Sequence, residues 1–275
     1  MPELPEVEFC RRALERWTRT APIVGAQVID PRSVRLSRTA RPSAGRPDAA
    51  DALDAVVRGA APAAPRRHGK RILWPFGRRA LLLHLGMTGK WVRGEPSPSP
   101  RFARVGLSLA DGATLYFVDA RLLGGVVPCS LDEGERALVE GLGPDALGSP
   151  LPLLRGARPV KVALMDQAVV AGVGNVQAME ALWRAGIDPR TPCDALDDAA
   201  HARLDAALQT TLRTTLAEQG DGDTITYVEE SLAANPFRVY RRLGTPCPTC
   251  KADIERMIQA GRSTYWCPSC QPPRG

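Results

Sequence analysis

No apolar run in the chain approaches the roughly 18 residues that a membrane-spanning helix requires. The charged opening Met1-Pro2-Glu3-Leu4-Pro5-Glu6 does not read as a secretory signal, so a cytoplasmic protein is expected. Histidine is scarce: His68, His84 and His201 are the only three, which argues against a histidine-ligated hydrolytic metal centre. Four of the seven cysteines fall in a tight pair of Cys-x-x-Cys units, while Cys10, Cys129 and Cys193 are scattered. A secreted disulfide framework is therefore the poorer explanation of the cysteines. No internal repeat and no targeting tail can be read. Negative charge is in the minority, with 30 Asp and Glu against 36 Lys and Arg, a net charge of +6 and a pI near 9.1. That balance suits a polyanionic partner without demanding one.

What the chain does have is length for two domains and the apolar content to fill them, with 275 residues, 44% hydrophobic and 5% aromatic. Ile72 to Phe76, Ala80 to Leu85 and Lys90 to Arg93 read as short strands. Arg104 to Leu109 and Thr114 to Val118 flank Asp111-Gly112, a strong hairpin signal. Gly94 to Pro100 is a proline-punctuated loop and Arg41 to Pro47 a turn-rich surface stretch. From about Leu131 the pattern turns helical, and Leu204, Leu208, Leu212 and Leu216 form an i, i+4 stripe that stops at Gly220. A domain boundary is expected near residues 128–134.

Pro5 at the first helical position, with Glu6 and Glu8 in the first turn and Val7, Cys10, Leu14 and Trp17 at helical spacing, predicts a helix at the amino terminus. Met1 precedes a small residue of the kind from which initiator methionine is commonly removed. Removal would leave the secondary amine of Pro2 beside the carboxylate of Glu3. An α-amino group has a pKa of about 8 against about 10.4 for lysine, so it keeps a larger nucleophilic fraction at neutral pH. Such an amine can attack a sugar C1′ or a carbonyl and form an iminium.

The most specific motif is Cys247-Pro248-Thr249-Cys250, sixteen residues, then Cys267-Pro268-Ser269-Cys270. Four thiolates at that spacing predict one structural zinc with a closed shell. Residues 235–275 also hold seven basic side chains and two acidic ones, as suits a reader of phosphates. The turn Gly172-Val173-Gly174-Asn175 ahead of an apolar helix predicts exposed backbone N–H groups with Asn175 as N-cap, an anion site by construction.

Together these motifs resemble bacterial formamidopyrimidine-DNA glycosylases of the Fpg/Nei family. The resemblance spans nearly the whole chain. It rests on Met1 to Glu8, Arg66-Arg67-His68-Gly69-Lys70, His84-Leu85-Gly86-Met87-Thr88-Gly89, the Gly172 to Asn175 turn and the terminal zinc finger ending Cys270-Gln271. It implies an α+β fold: an N-terminal β-sandwich domain with a leading helix over 1–130, a helix-two-turn-helix domain over 131–234 and a four-cysteine zinc finger over 235–275. It implies a bifunctional DNA glycosylase/AP lyase of base-excision repair. A monomer bound to double-stranded DNA with a damaged base, away from membranes and associated with the nucleoid, is expected. Pro2 would be the nucleophile and Glu3 the general acid/base, with β- and δ-elimination following the Schiff base. Lys70 would serve at the catalytic centre and on a phosphate, and Asn175 and Arg262 would bind phosphates. Met87, Arg121 and the residue at position 123 would fill the hole left by the flipped base. Cys247, Cys250, Cys267 and Cys270 would hold Zn²⁺. Glu6 and Glu180 are read as structural or helix-dipole residues, and Lys161 as an ordinary solvated lysine.

The chain departs from the family pattern in three places. Asp119-Ala120-Arg121-Leu122-Leu123-Gly124 puts Leu123 where an aromatic wedge is expected, Gln177 replaces a usual tyrosine, and Thr224 to Tyr240 is shorter than the family's lid-bearing segment. Oxidised purines such as formamidopyrimidine and 8-oxoguanine are the favoured substrates. A Nei-like preference for oxidised pyrimidines or abasic sites, and a non-catalytic damaged-DNA-binding protein, are the alternatives.

Overall fold

The computed structural model describes residues 2–35, 47–58, 61–220 and 235–273. Most of the 41–47 stretch and most of the shortened 224–240 segment lie outside them. The chain divides into two compact units, one built from Met1–Glu140 and the other from Gly141–Glu218 with the carboxy-terminal segment.

In the first unit, α1 (Leu4–Thr20) is followed by β1 (Ile23–Val28), α2 (Ala49–Val57), β2 (Arg66–His68), β3 (Arg71–Phe76), β4 (Arg79–His84) and β5 (Lys90–Gly94). Then come β6 (Ala103–Leu109), β7 (Thr114–Val118), β8 (Gly125–Ser130) and α3 (Leu131–Val139). The strands form two four-stranded sheets in the orders β1-β6-β7-β5 and β2-β3-β4-β8. Trp74 of β3 meets Trp91 of β5 edge to face at 6.2 Å, and Trp91 meets Phe117 of β7 at 5.6 Å, so aromatic contacts tie one sheet to the other. Val7, Cys10, Leu14 and Trp17 all bury on the inner face of α1, as their spacing predicts.

The five strands expected from patterning are present. The sequence did not reveal β1, β2, β8 or α2. β2 is Arg66-Arg67-His68, a charged triplet that becomes a strand only because β3 presents its backbone for pairing, with Arg67 opposite Ile72. Helix α3 starts at a Ser130–Glu133 capping box, inside the expected boundary region. It packs on β3, β4 and β8 instead of joining the later helices. Arg71 reaches from β3 to the carbonyls of Ala137 at 2.7 Å and Glu140 at 2.9 Å, so the last turn of α3 is satisfied by the sheet beneath it.

The second unit holds α4 (Val160–Met165), α5 (Asn175–Ala185), α6 (Asp198–Glu218) and a hairpin of β9 (Glu255–Gln259) with β10 (Arg262–Trp266). Leu204, Leu208 and Leu212 bury on the inner face of α6, which packs on α5. The zinc-finger hairpin closes on α5 through a cluster of Met179, Val239, Cys247, Ile254 and Cys267. Among the described residues no helix is long and apolar enough to cross a membrane.

Candidate active site and nucleic-acid interface

Pro2 and Glu3 are buried at the head of α1, with Glu3 only 2% exposed. Glu3 is the N-cap and Leu4 the first helical residue, which moves Pro5 to the second position. The Glu6 carboxylate accepts the Glu3 N–H at 2.8 Å. Burial, with the charge of Glu3 beside it, pushes the Glu6 carboxyl up to about 7. Two residues on, Glu8 collects the guanidinium groups of Arg11, Arg12 and Arg67 at 2.9–3.1 Å. Burial pushes its carboxyl up, but the arginines outweigh burial and hold it below the usual carboxylate range. Arg67 also donates to the Gly69 carbonyl at 2.9 Å, in the turn that joins β2 to β3 and carries Lys70. One buried ion pair thus ties the helix bearing Pro2 and Glu3 to the turn bearing Lys70.

The loops at 84–89 and 119–124 are locked together. Gly86 has φ +64°, and a Cβ there would sit 2.3 Å from the Gly124 nitrogen, so only glycine lets the two backbones approach. Asp119 is fully buried and organises both loops: it accepts the Thr88 hydroxyl, the Arg121 N–H at 3.1 Å and the Gly124 N–H at 2.7 Å. Arg35 adds a guanidinium to the carbonyls of Leu122 and Gly124. This frame holds out Met87 and Leu123, 37% and 38% exposed, together with exposed Arg121. Two apolar side chains are thus left in water on this frame, beside a cation.

In the second unit the N-cap of α5 is Gly174, not Asn175, which is the first helical residue and makes no cap bond. The reason lies in what holds the Asn175 side chain. Lys161 of α4 donates from Nζ to Asn175 Oδ1 at 2.7 Å, and Asn175 Nδ2 donates to the Ser263 carbonyl at 3.0 Å. Lys161 is 1% exposed, which overturns its reading as a solvated lysine. Ser263 follows Arg262 in β10, so the side chains of α4 and α5 anchor the strand that presents Arg262, itself exposed. That strand leaves a turn at Ala260 and Gly261, both with positive φ, the geometry of a tight hairpin. Glu180, buried on α5, accepts the backbone N–H groups of Arg238, Val239 and Tyr240 at 2.9–3.0 Å, which fixes the approach to the zinc finger and fits its structural reading. Gln177 is also buried, hydrogen-bonded to Thr215 of α6 at 3.2 Å, so it belongs to the helix-packing core.

The four cysteine sulfurs lie within 4.8 Å of one another, with Cys250 to Cys267 at 3.4 Å and Cys247 to Cys270 at 3.9 Å. A tetrahedral ZnS₄ centre with bonds of about 2.3 Å has sulfur edges of about 3.8 Å, so the cluster fits zinc.

Residues 1–126 match the family model for the formamidopyrimidine-DNA glycosylase N-terminal domain, 150–227 that for its H2TH domain, and 244–273 that for the zinc finger found in FPG and IleRS. The chain belongs to the formamidopyrimidine-DNA glycosylase family. It is 37% identical to the formamidopyrimidine-DNA glycosylase of Paracoccus denitrificans, over 98% of this chain and 100% of that one. Among solved structures it is similar to Lactococcus lactis Fpg bound to DNA containing FAPY-dG, with TM-score 0.82, 26% identity and coverage of 98% and 100%. A complex of the same Lactococcus protein with DNA containing an oxidised pyrimidine gives TM-score 0.84, 26% identity and coverage of 99% and 100%. As an Fpg-family chain the protein is a DNA glycosylase of base-excision repair with a structural zinc. The family's α+β architecture is the one observed, with its β-sheets first and the H2TH helices and zinc finger after.

Proposed function

We propose that the protein excises oxidised purines, formamidopyrimidine and 8-oxoguanine, and then cleaves the strand as an AP lyase. The observation that carries this reading is the buried Pro2–Glu3 pair at the head of a helix pinned through Glu8 and Arg67 to the Lys70 turn. With Met1 removed, the Pro2 nitrogen attacks C1′ of the flipped nucleotide as the base departs with a proton, leaving an iminium on the opened sugar. Glu3 shuttles the protons of ring opening and base departure, with burial keeping competing water away. Loss of the C2′ proton then expels the 3′ phosphate, and a second elimination expels the 5′ phosphate. Hydrolysis of the iminium returns the amine. Lys70 supports the phosphate beside the reacting sugar, Asn175 and Arg262 hold flanking phosphates, and Met87, Arg121 and Leu123 fill the vacated stack. The protein acts as a monomer at the nucleoid, in the cytoplasm.

Leu123 gives a second reading its footing. Without the aromatic wedge, lesion sampling shifts, and oxidised pyrimidines or abasic sites become the preferred substrates. Borohydride trapping on duplexes carrying 8-oxoguanine opposite cytosine, an oxidised pyrimidine or an abasic site tests both. An adduct on the 8-oxoguanine duplex that maps to Pro2 supports the purine reading, and an adduct on the other duplexes alone supports the second. Pro2→Gly and Glu3→Gln should each lose base excision by at least about 100-fold while still binding duplex, a loss in the range removed with a general acid/base. Full excision by either variant would overturn its assigned role.

A further inference from the structure

The 119–124 loop lacks its aromatic, yet an exposed phenylalanine stands beside that loop. Phe102 occupies the third position of a turn in which the Ala103 N–H returns to the Pro100 carbonyl at 3.0 Å, with φ at +65°. That position in a type II turn favours glycine, because a side chain at positive φ crowds the backbone, and a bulky residue there is an outlier. Strained residues of this kind persist where the surrounding structure fixes them, often at functional sites. Here the strain is not offset by burial of the ring, since Phe102 is 40% exposed.

Its surroundings hold it in a defined pose. The Phe102 carbonyl accepts the N–H of Asp119 at 3.0 Å, and Arg104 donates to the Asp119 carbonyl at 2.8 Å. Asp119 is the residue whose carboxylate anchors Thr88, Arg121 and Gly124. The Arg101 guanidinium lies 4.5 Å from the Phe102 ring centroid and that of Arg104 5.9 Å. The turn at 100–103 is therefore joined to the frame that projects Met87, Arg121 and Leu123, and it adds an aromatic face with cations beside it. Phe102 was not singled out by sequence, because nothing local distinguishes it from any aromatic at a strand start.

We propose that Phe102 is a DNA-contacting residue that supplies, from a different loop, an aromatic stacking surface for a nucleobase at the damaged step, where position 123 offers only leucine. The proposal rests on the DNA-glycosylase reading above. Arg101 orients the ring and places positive charge near the backbone of the same nucleotide. Stacking on one base is worth about 1–3 kcal/mol, which converts to about 5- to 150-fold in affinity.

Phe102→Gly separates stacking from folding, because glycine relieves the positive φ. The full-length zinc protein and its Phe102→Gly and Phe102→Trp variants would be titrated by fluorescence anisotropy onto a duplex carrying a tetrahydrofuran abasic analogue, across a salt series, with thermal melting alongside. Expected are an unchanged or raised Tm and at least about fivefold weaker binding for the glycine variant, an unchanged salt slope, and near-complete recovery with tryptophan. Glycine-variant affinity within about twofold of wild type would overturn the proposal, as would a reduced salt slope, which would assign the effect to phosphate contacts. A wild-type protein that binds the analogue duplex no better than undamaged duplex would overturn the DNA reading itself, and this proposal with it.

Discussion

At the scale of single residues, charged neighbours decide which buried carboxyls carry charge. Glu6 and Glu8 are separated by one residue on α1, yet burial and Glu3 raise Glu6 to about 7 while three arginines hold Glu8 low against the same pressure from burial. An unfolded Glu6 titrates near its ordinary value of 4.5, so between about 4.5 and 7 the folded protein binds more protons than the unfolded one. The stability that Glu6 contributes is thus fully present at the acid end of that window and is lost as pH rises through it. Glu6→Gln is expected to flatten the Tm-against-pH curve between pH 4.5 and 7, and an unchanged slope would assign the proton elsewhere. The residues of α1 also mark the limit of sequence reading. Both acids were legible near the helix start, although only Glu6 falls in the first turn, and Arg11 and Arg12, which hold Glu8 low, are its local neighbours; the burial that raises Glu6 and the added pairing of Glu8 with Arg67, 59 positions away, left no local sign.

At the scale of elements, three segments distant in sequence share one polar link, from Lys161 on α4 through the Asn175 side chain on α5 to the backbone of β10 beside Arg262. A buried ammonium that lost its acceptor, or an amide that lost its donor, would leave an unsatisfied group in the interior. Lys161→Met keeps the apolar stem and removes only the charge and its hydrogen bonds. It should retain zinc and weaken duplex binding by about tenfold, the order of one charge-assisted hydrogen bond, as read by anisotropy with zinc analysis on the same sample. Unchanged binding would show that Asn175 and Arg262 need no such anchor. The strands β3 to β7 were legible because their apolar runs and the Asp111-Gly112 turn are local signals. β2 and α3 were missed or placed with the wrong partners because their positions come from pairing with β3 and from Arg71, neither of which leaves a local trace.

At the scale of the whole molecule, the zinc finger is fastened to α5 by Met179, by Glu180 and by the apolar cluster around Cys247 and Cys267. Losing the metal should therefore unfasten Arg262 without unfolding the sheets of the first unit, whose core is built from Trp74, Trp91 and Phe117. Cys267→Ser is expected to lose stoichiometric zinc and to weaken duplex binding by at least tenfold, while the β-sheet signal in circular dichroism is retained. Zinc loss with full affinity would show the finger to be dispensable. The sequence by itself determined the family, the four-cysteine zinc site and five of the eight strands of the first unit, because each rests on residue types at fixed short spacing. Only the tertiary structure decided that Lys161 is buried, that Asn175 is held from both sides and that Phe102 stands beside the Leu123 loop. Each of these depends on groups brought together from distant parts of the chain by packing and hydrogen bonding, and short-range patterning carries no record of them.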